Sequence, residues 1–233
     1  MADSPPLLLV PGLTCSARLF AAQIVALWRY GPVTVADHRR DADIKALAAR
    51  ILSTAPPRFA LAGLSFGGYV AFEMMRQAPA RVAKLALLDT SARPDTPEQT
   101  AGRKVQIEVA QTGRYGEIAD LSIPRYLHRD RQSDAAMTGI VRQMVDETGP
   151  EAFVRQLQAI MSRPDSRPML SSIRCPTLVL VGDGDLATPP ALNKEIADGI
   201  PGARLVVVPA CGHLSTVERP NAVNAALSDW LEA

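Results

Sequence analysis

A serine, a histidine and an aspartate, spaced far apart in this chain, have the types needed for nucleophilic chemistry. Ser65 stands in Gly63-Leu64-Ser65-Phe66-Gly67-Gly68, after an apolar run at 59–62 and before a segment with helical periodicity at 69–75. The pattern reads as strand, sharp turn, helix. At such a turn the hydroxyl projects above the sheet, and the flanking glycines leave room where strand and helix meet. The helix start adds free N–H groups and the positive end of its dipole beside any oxyanion that develops. A glycine-rich turn with a bystander serine would spell the same five residues, so partners elsewhere in the chain decide.

A serine hydroxyl needs a neighbouring base to become a nucleophile, and the chain has three histidines. His38 follows the second expected strand beside Arg39 and Arg40, in a loop at the sheet edge. His128 lies among charged residues and is expected to be solvated. His213 follows the last expected strand in Pro209-Ala210-Cys211-Gly212-His213, a loop able to aim a side chain over the strand tips. It is the base by elimination and by placement. The imidazole must be held in one tautomer and its cation stabilised, which calls for a carboxylate. Gly182-Asp183-Gly184-Asp185 offers two. Asp185 is preferred, because Asp183 can serve the turn by bonding to nearby backbone N–H groups. Asp89, at the end of the strand after the serine, is a third candidate. Ser65, Asp185 and His213 each fall just beyond the C-terminal end of a different strand, the edge where parallel sheets hold ligands. Two amides would hold the oxyanion: that of Phe66, directly after the serine, and that of Leu13 in Pro11-Gly12-Leu13-Thr14, after the first strand. The bland account of Pro11-Gly12 is a plain turn.

The elements that must position these residues alternate along the chain. Strands are expected at 7–10, 33–36, 59–63, 82–89, 176–182 and 204–208. Between them, Ser16 caps a helix reaching about Trp28, with Leu19, Phe20, Ile24, Leu27 and Trp28 on one face. Asp41 or Asp43 opens another, striped by Ile44, Leu47, Ala48, Ile51 and Leu52. Further helices are expected at 66–77, 190–200 and 221–231. The alternation predicts an α/β fold, a mostly parallel sheet with right-handed crossovers and helices on both faces. It breaks between Pro94 and Pro168. Helical pieces near 97–111, 114–128, 132–147 and 150–162 describe an inserted helical cap at 93–168, leaving 1–92 and 169–233 as the core. That insertion carries eleven basic and eleven acidic residues, so it presents no net field. Its apolar residues, among them Val105, Ile107, Val109, Ile118, Ile140, Met144, Val145, Phe153, Leu157 and Ile160, are expected to be mostly core.

At 233 residues the chain can bury one substantial core. Apolar residues at 47% and charged ones at 21% describe an ordinary globule. Twenty-five Lys and Arg against 24 Asp and Glu, without a basic block, argue against a nucleic-acid partner. No signal peptide or membrane span is expected, because no apolar run approaches the roughly 18 residues a span needs. Cys15, Cys175 and Cys211 are odd in number and lack metal-ligand spacing, which suits reduced thiols in a cytoplasmic protein.

Taken together, Gly63-Leu64-Ser65-Phe66-Gly67-Gly68, Gly182-Asp183-Gly184-Asp185, Gly212-His213-Leu214 and Glu218-Arg219-Pro220 resemble the α/β-hydrolase superfamily. In particular the chain is similar to the small capped esterases and related enzymes: pimeloyl-carrier-protein methyl esterase, 3-oxoadipate enol-lactonase, and the menaquinone-pathway enzyme making 2-succinyl-6-hydroxy-2,4-cyclohexadiene-1-carboxylate. The resemblance spans 7–231. It implies a serine hydrolase cleaving carboxylic esters of small or medium acyl substrates, needing no metal or organic cofactor. Two departures stand out. Many relatives have His-Gly where this chain has Pro11-Gly12, and their sheet begins with two further strands, so about six are expected here. Lactonase, carbon-carbon hydrolase or lyase chemistry on the same triad is an alternative, and a ligand-binding receptor with the same fold is another. Dehalogenase chemistry is disfavoured, since the similar dehalogenases carry Asp in place of Ser65. The expected partner is a small-molecule ester, with neither nucleic acid nor membrane, and the chain is a monomer or homodimer. A carrier protein would dock on a cluster such as Arg125, Arg129, Arg131 and Arg142, for which a solvated, salt-bridged face is the simpler account. The acyl pocket is expected between the insertion and the strand tips, with Leu13, Phe66, Ile107, Tyr126, Met137, Met144 and Leu186 as candidate walls. Because Cys15 and Cys211 adjoin the oxyanion loop and the base in sequence, bulky thiol reagents are expected to slow the enzyme.

Overall fold

Leu7–Val10 forms β1, four apolar residues buried on both sides, as an inner parallel strand requires. In the computed structural model, which describes residues 5–233, it pairs with β2 (Val33–Val35) and β3 (Phe59–Leu64). The sheet continues through β4 (Val82–Leu88), β5 (Thr177–Gly182) and β6 (Arg204–Val208), in the order β2-β1-β3-β4-β5-β6. Every pairing is parallel. The fold is thus an α/β-hydrolase fold built on six strands. Val10 pairs with Gly63, and Gly182 with Val208. The loops that follow these strands therefore leave from one edge of the sheet.

The helices, in chain order, are α1 (Ala21–Leu27), α2 (Ile44–Thr54) and α3 (Phe66–Gln77), then α4 (Pro97–Val109), α5 (Glu117–Tyr126), α6 (Ala135–Thr148) and α7 (Pro150–Met161) between β4 and β5, and finally α8 (Pro190–Gly199), α9 (Ser215–Glu218) and α10 (Pro220–Glu232). The period-2 alternation of β1 divides the core: Leu7 and Leu9 pack with Leu27 of α1 and Leu227 of α10, Leu8 and Val10 with Leu47 of α2 and Val70 of α3. Asp43, not Asp41, caps α2 by accepting from the amides of Lys45 and Ala46, both at 3.0 Å. Trp28 departs from the expected apolar face and is 71% exposed. The α-helical turn ends at Leu27, and the tighter 3₁₀ turn Trp28–Tyr30 swings the indole off the stripe.

The four inserted helices feed both halves of the core. Phe153, Leu157 and Ile160 join the α2 and α3 side, while Ile123, Leu127, Val141 and Met144 join the α1 and α10 side. Each such side chain contributes roughly 1.5–3 kcal/mol by leaving water, so the insertion is held by the same apolar burial that holds the sheet. Val105 is the exception among the expected core residues, at 58% exposed. Thr96 and Gln99 form a capping box at the start of α4. Between α4 and α5 the chain widens into a π turn, Ala110–Arg114, with Gly113 at φ +81°. No helix among the described residues is long and apolar enough to cross a membrane.

Candidate active site

Ser65 sits between β3 and α3 at φ 55°, ψ −114°. Non-glycine residues rarely adopt such a conformation, which costs on the order of 1–3 kcal/mol and persists only where the surroundings over-determine it. Here they do. The Ser65 amide donates to Leu88 O at 2.9 Å, and Ser65 O accepts from Gly68 N at 2.9 Å and Thr90 Oγ1 at 2.8 Å. The glycines follow from close approach of backbones. A Cβ on Gly63 would lie 2.2 Å from Gly67 O, and one on Gly67 only 1.9 Å from Val10 O. Strand, turn and helix can meet beside β1 only without those side chains.

The structure brings Ser65, His213 and Asp185 into one hydrogen-bonded chain. Ser65 Oγ lies 2.8 Å from His213 Nε2, and His213 Nδ1 lies 2.8 Å from Asp185 Oδ2. The imidazole and the carboxylate are both buried. Asp185 accepts from its own loop as well: Ala187 N at 2.7 Å, Thr188 N at 2.9 Å and Thr188 Oγ1 at 2.8 Å. With the carboxylate accepting at Nδ1–H, Nε2 is left to accept the serine proton. Burial works against the Asp185 charge, yet His213 and Thr188 hold its carboxyl below the ordinary carboxylate value.

Neither of the other two aspartates touches the imidazole. Asp183 accepts from Cys211 N at 3.1 Å and so ties the β5 and β6 loops together. Asp89, at φ +44°, accepts from Gly182 N at 3.0 Å and from the Ser215 hydroxyl. Burial and the neighbouring Asp185 charge raise its pKa well above the ordinary value. Two carboxyls this close cannot both ionise easily, and the one that faces His213 keeps the charge.

The loop carrying His213 is fixed by residues to which sequence reasoning assigned no such role. His213 N donates to Tyr126 O at 2.8 Å, and the two rings stand 5.1 Å apart between centroids. Glu218, which is buried, accepts from Gly212 N at 3.0 Å and His128 N at 2.9 Å, while Arg219 donates to Ala210 O at 3.0 Å. The signal was present in Glu218-Arg219-Pro220, but nothing local shows which loop such a carboxylate will reach. His128 corrects an expectation. Its side chain is only 13% exposed and packs against Gly184, so it is part of the framework rather than a solvated residue.

Phe66 opens α3, so its amide has no intrahelical acceptor. The Leu13 amide makes no hydrogen bond among the described residues, and its loop is pinned on either side. Thr14 N donates to Gln156 Oε1 at 3.1 Å, and His38 Nε2 lies 2.9 Å from Gly12 O and 3.1 Å from Gln156 Nε2. His38 does follow the edge strand β2, but its side chain turns inward. It is buried beneath the Gly12 turn, and that burial lowers its pKa to about 4. The chain lacks a histidine next to Gly12, and an imidazole from the loop after β2 reaches the Gly12 carbonyl instead.

Above Ser65 lies a cavity of about 340 Å³. Of the walls expected from sequence, Leu13 and Tyr126 line it; Phe66, Ile107, Met137, Met144 and Leu186 do not. Phe66 and Met144 are spent on the core, and Leu186 is 65% exposed. Polar side chains from α3, α4 and α5 take their place, including Tyr69, Arg103, Gln106 and Arg125. Among the described residues, no group of three or more His, Cys, Asp or Glu side chains is arranged to hold a metal ion. Cys15 and Cys211 are buried and their thiols are pushed up by that burial, Cys15 to about 12, which removes the expectation that thiol reagents reach them. Arg129, Arg131 and Arg142 pair with Asp130, Asp134 and Asp120, so the suspected carrier-docking cluster is a salt-bridged face except at Arg125.

A strand-turn-helix serine, a parallel six-stranded sheet and loops converging on its C-terminal edge define the α/β-hydrolase family, and the chain belongs to it, with a match to the family model across residues 7–226. A thermophilic esterase from Thermogutta terrifontis, solved with malate bound, is 33% identical with a TM-score of 0.89, covering 98% of this chain and 89% of that one. An enol-lactonase from Burkholderia xenovorans is 27% identical, also with a TM-score of 0.89, covering 100% and 93%. A Mycobacterium tuberculosis protein with the provisional name non-heme bromoperoxidase is 30% identical over 193 residues, 76% of this chain and 68% of that protein. The names of these three differ in reaction, so the family defines the scaffold and leaves the chemistry to the site.

Proposed function

We propose that the protein is a serine hydrolase of carboxylic esters, with Ser65 as nucleophile, His213 as general base and acid, and Asp185 as its orienting carboxylate. The observation that carries this reading is the unbroken run of hydrogen bonds from Ser65 Oγ through His213 to Asp185, each 2.8 Å, on a serine held at a strained turn. His213 Nε2 takes the hydroxyl proton as Ser65 Oγ attacks the ester carbonyl. The amides of Leu13 and Phe66 receive the oxyanion of the tetrahedral intermediate. Collapse expels the alcohol, which takes the proton from His213, and leaves an acyl-serine. Water, deprotonated by the same imidazole, then releases the acid and restores Ser65. A lactone is a cyclic ester and would open by the same steps, which accords with the likeness to an enol-lactonase structure.

The test is hydrolysis of p-nitrophenyl esters from acetate to decanoate by the wild type, Ser65→Ala and His213→Ala. Turnover by the wild type that falls at least about 10³-fold in both variants supports the reading, since a group that abstracts or carries the reacting proton contributes on that scale or more. Turnover that survives Ser65→Ala would refute it.

A further inference from the structure

The cavity over Ser65 holds more hydrogen-bond donors and positive charge than an ester alone requires. Arg103 of α4 and Arg163, just after α7, share the single carboxylate of Asp95, Arg103 through two bonds of 2.6 and 3.1 Å and Arg163 at 2.8 Å. All three are largely shielded from water, so one guanidinium charge is left without a counter-ion. Arg163 also lies 4.1 Å over the ring of Tyr69. Tyr69, about nine-tenths buried, lines the cavity with Tyr126, and neither hydroxyl makes a hydrogen bond among the described residues. Arg103 Nη1, the whole guanidinium of Arg125 and the Gln106 amide are likewise without partners there. Burial holds the Tyr126 phenol at a pKa of about 12, so it remains a donor. The acidic side chain on the cavity wall is Glu98, exposed on the first turn of α4, where its own amide and the Thr96 hydroxyl hold its carboxyl below the ordinary value.

Such a lining suits an anion. We propose that the substrate is an ester that also bears a free carboxylate, received by Arg103 and Arg125 and by the hydroxyls of Tyr69 and Tyr126 while the ester group meets Ser65. The proposal rests on the serine-hydrolase reading above. A carboxylate fits because it accepts up to four hydrogen bonds and gains most from charged donors. An aliphatic acyl chain, by contrast, would leave the shielded donors of Tyr69 and Arg103 without water or partner, which is costly.

Binding and turnover are measured separately, so that the two readings can fail independently. Calorimetric titration of Ser65→Ala compares monomethyl glutarate with dimethyl glutarate, and 3-acetoxypropanoate with its methyl ester. These pairs place the carboxylate on the acyl and on the alcohol side. In at least one pair the acid is expected to bind about tenfold or more tighter than its neutral partner. That ratio is expected to collapse on adding Arg125→Gln, an exposed residue whose loss does not threaten the fold, and on adding Tyr69→Phe. An acid-to-neutral ratio that neither substitution moves overturns the assigned carboxylate site. Equal or weaker binding of the acid in both pairs overturns the proposal. Turnover of neutral esters without acid preference overturns it and leaves the esterase reading standing; acid-selective binding without turnover of any ester does the reverse.

Discussion

Asp185→Asn is the substitution whose consequence the geometry specifies most fully. The carboxylate accepts four hydrogen bonds and donates none: Ala187 N and Thr188 N at Oδ1, Thr188 Oγ1 and His213 Nδ1 at Oδ2. The two backbone amides can only donate, so the asparagine carbonyl must take the Oδ1 position and its NH₂ group the Oδ2 position. An N–H then points at His213 Nδ1. That nitrogen has to become an acceptor, the ring proton moves to Nε2, and Nε2 faces Ser65 Oγ with a proton where a lone pair is needed. The residue is nearly isosteric and keeps its loop contacts, so folding loses roughly the 1.5–3 kcal/mol of one charge-assisted bond. Catalysis loses far more, about 10⁴-fold in kcat, or about 5.4 kcal/mol at 1.36 kcal/mol per decade. The assay is kcat for p-nitrophenyl butyrate with the melting temperature taken alongside. A kcat within about tenfold of wild type would refute the reasoning, as would a larger loss from Asp89→Asn, a residue that does not touch the imidazole.

Two further outcomes follow from buried groups. His38 titrates at an ordinary 6.5 when unfolded and at about 4 in the folded chain, lowered by burial. The unfolded state therefore binds its proton first as pH falls, so this part of the stability is complete above about pH 6.5 and is lost toward pH 4, by roughly 3 kcal/mol. His38→Gln should flatten that part of the stability-pH curve in denaturant melts, and curves that decline in parallel would remove the assignment. Native protein treated with a bulky maleimide at neutral pH should keep its activity and be labelled at half-buried Cys175 alone; inactivation that tracks labelling of Cys15 or Cys211 would contradict their burial.

Much of the fold was legible because its signals are local. Apolar runs of strand length, Asp43 and Ser16 as caps, and glycines at the serine turn all act within a few residues, and the strand and helix expectations lie close to the observed elements. The candidate site residues that loops bring together were legible by chemical type: a serine at a strand-helix turn narrows the search for hydrogen-bonded partners to the few histidines and aspartates placed after other strands. What stayed hidden depends on long-range contact. His38 is buried because Gln156, from an inserted helix, and Gly12 close over it. Glu218 matters because it reaches Gly212 and His128. Trp28 left its stripe because one turn tightened, and the cavity is polar because the apolar side chains of the insertion were drawn into the core instead.

The helices between β4 and β5 do more than complete the core. Gln156 from α7 accepts from Thr14 N, and Tyr126 at the end of α5 accepts from His213 N. Two turns that carry proposed catalytic groups are thus each fastened by one bond to the insertion. This makes the region a poor module for exchange: a helical segment transplanted from a relative to change substrate range must bring a side-chain acceptor for Thr14 and a carbonyl for His213, or the recipient loses its working geometry along with its old specificity.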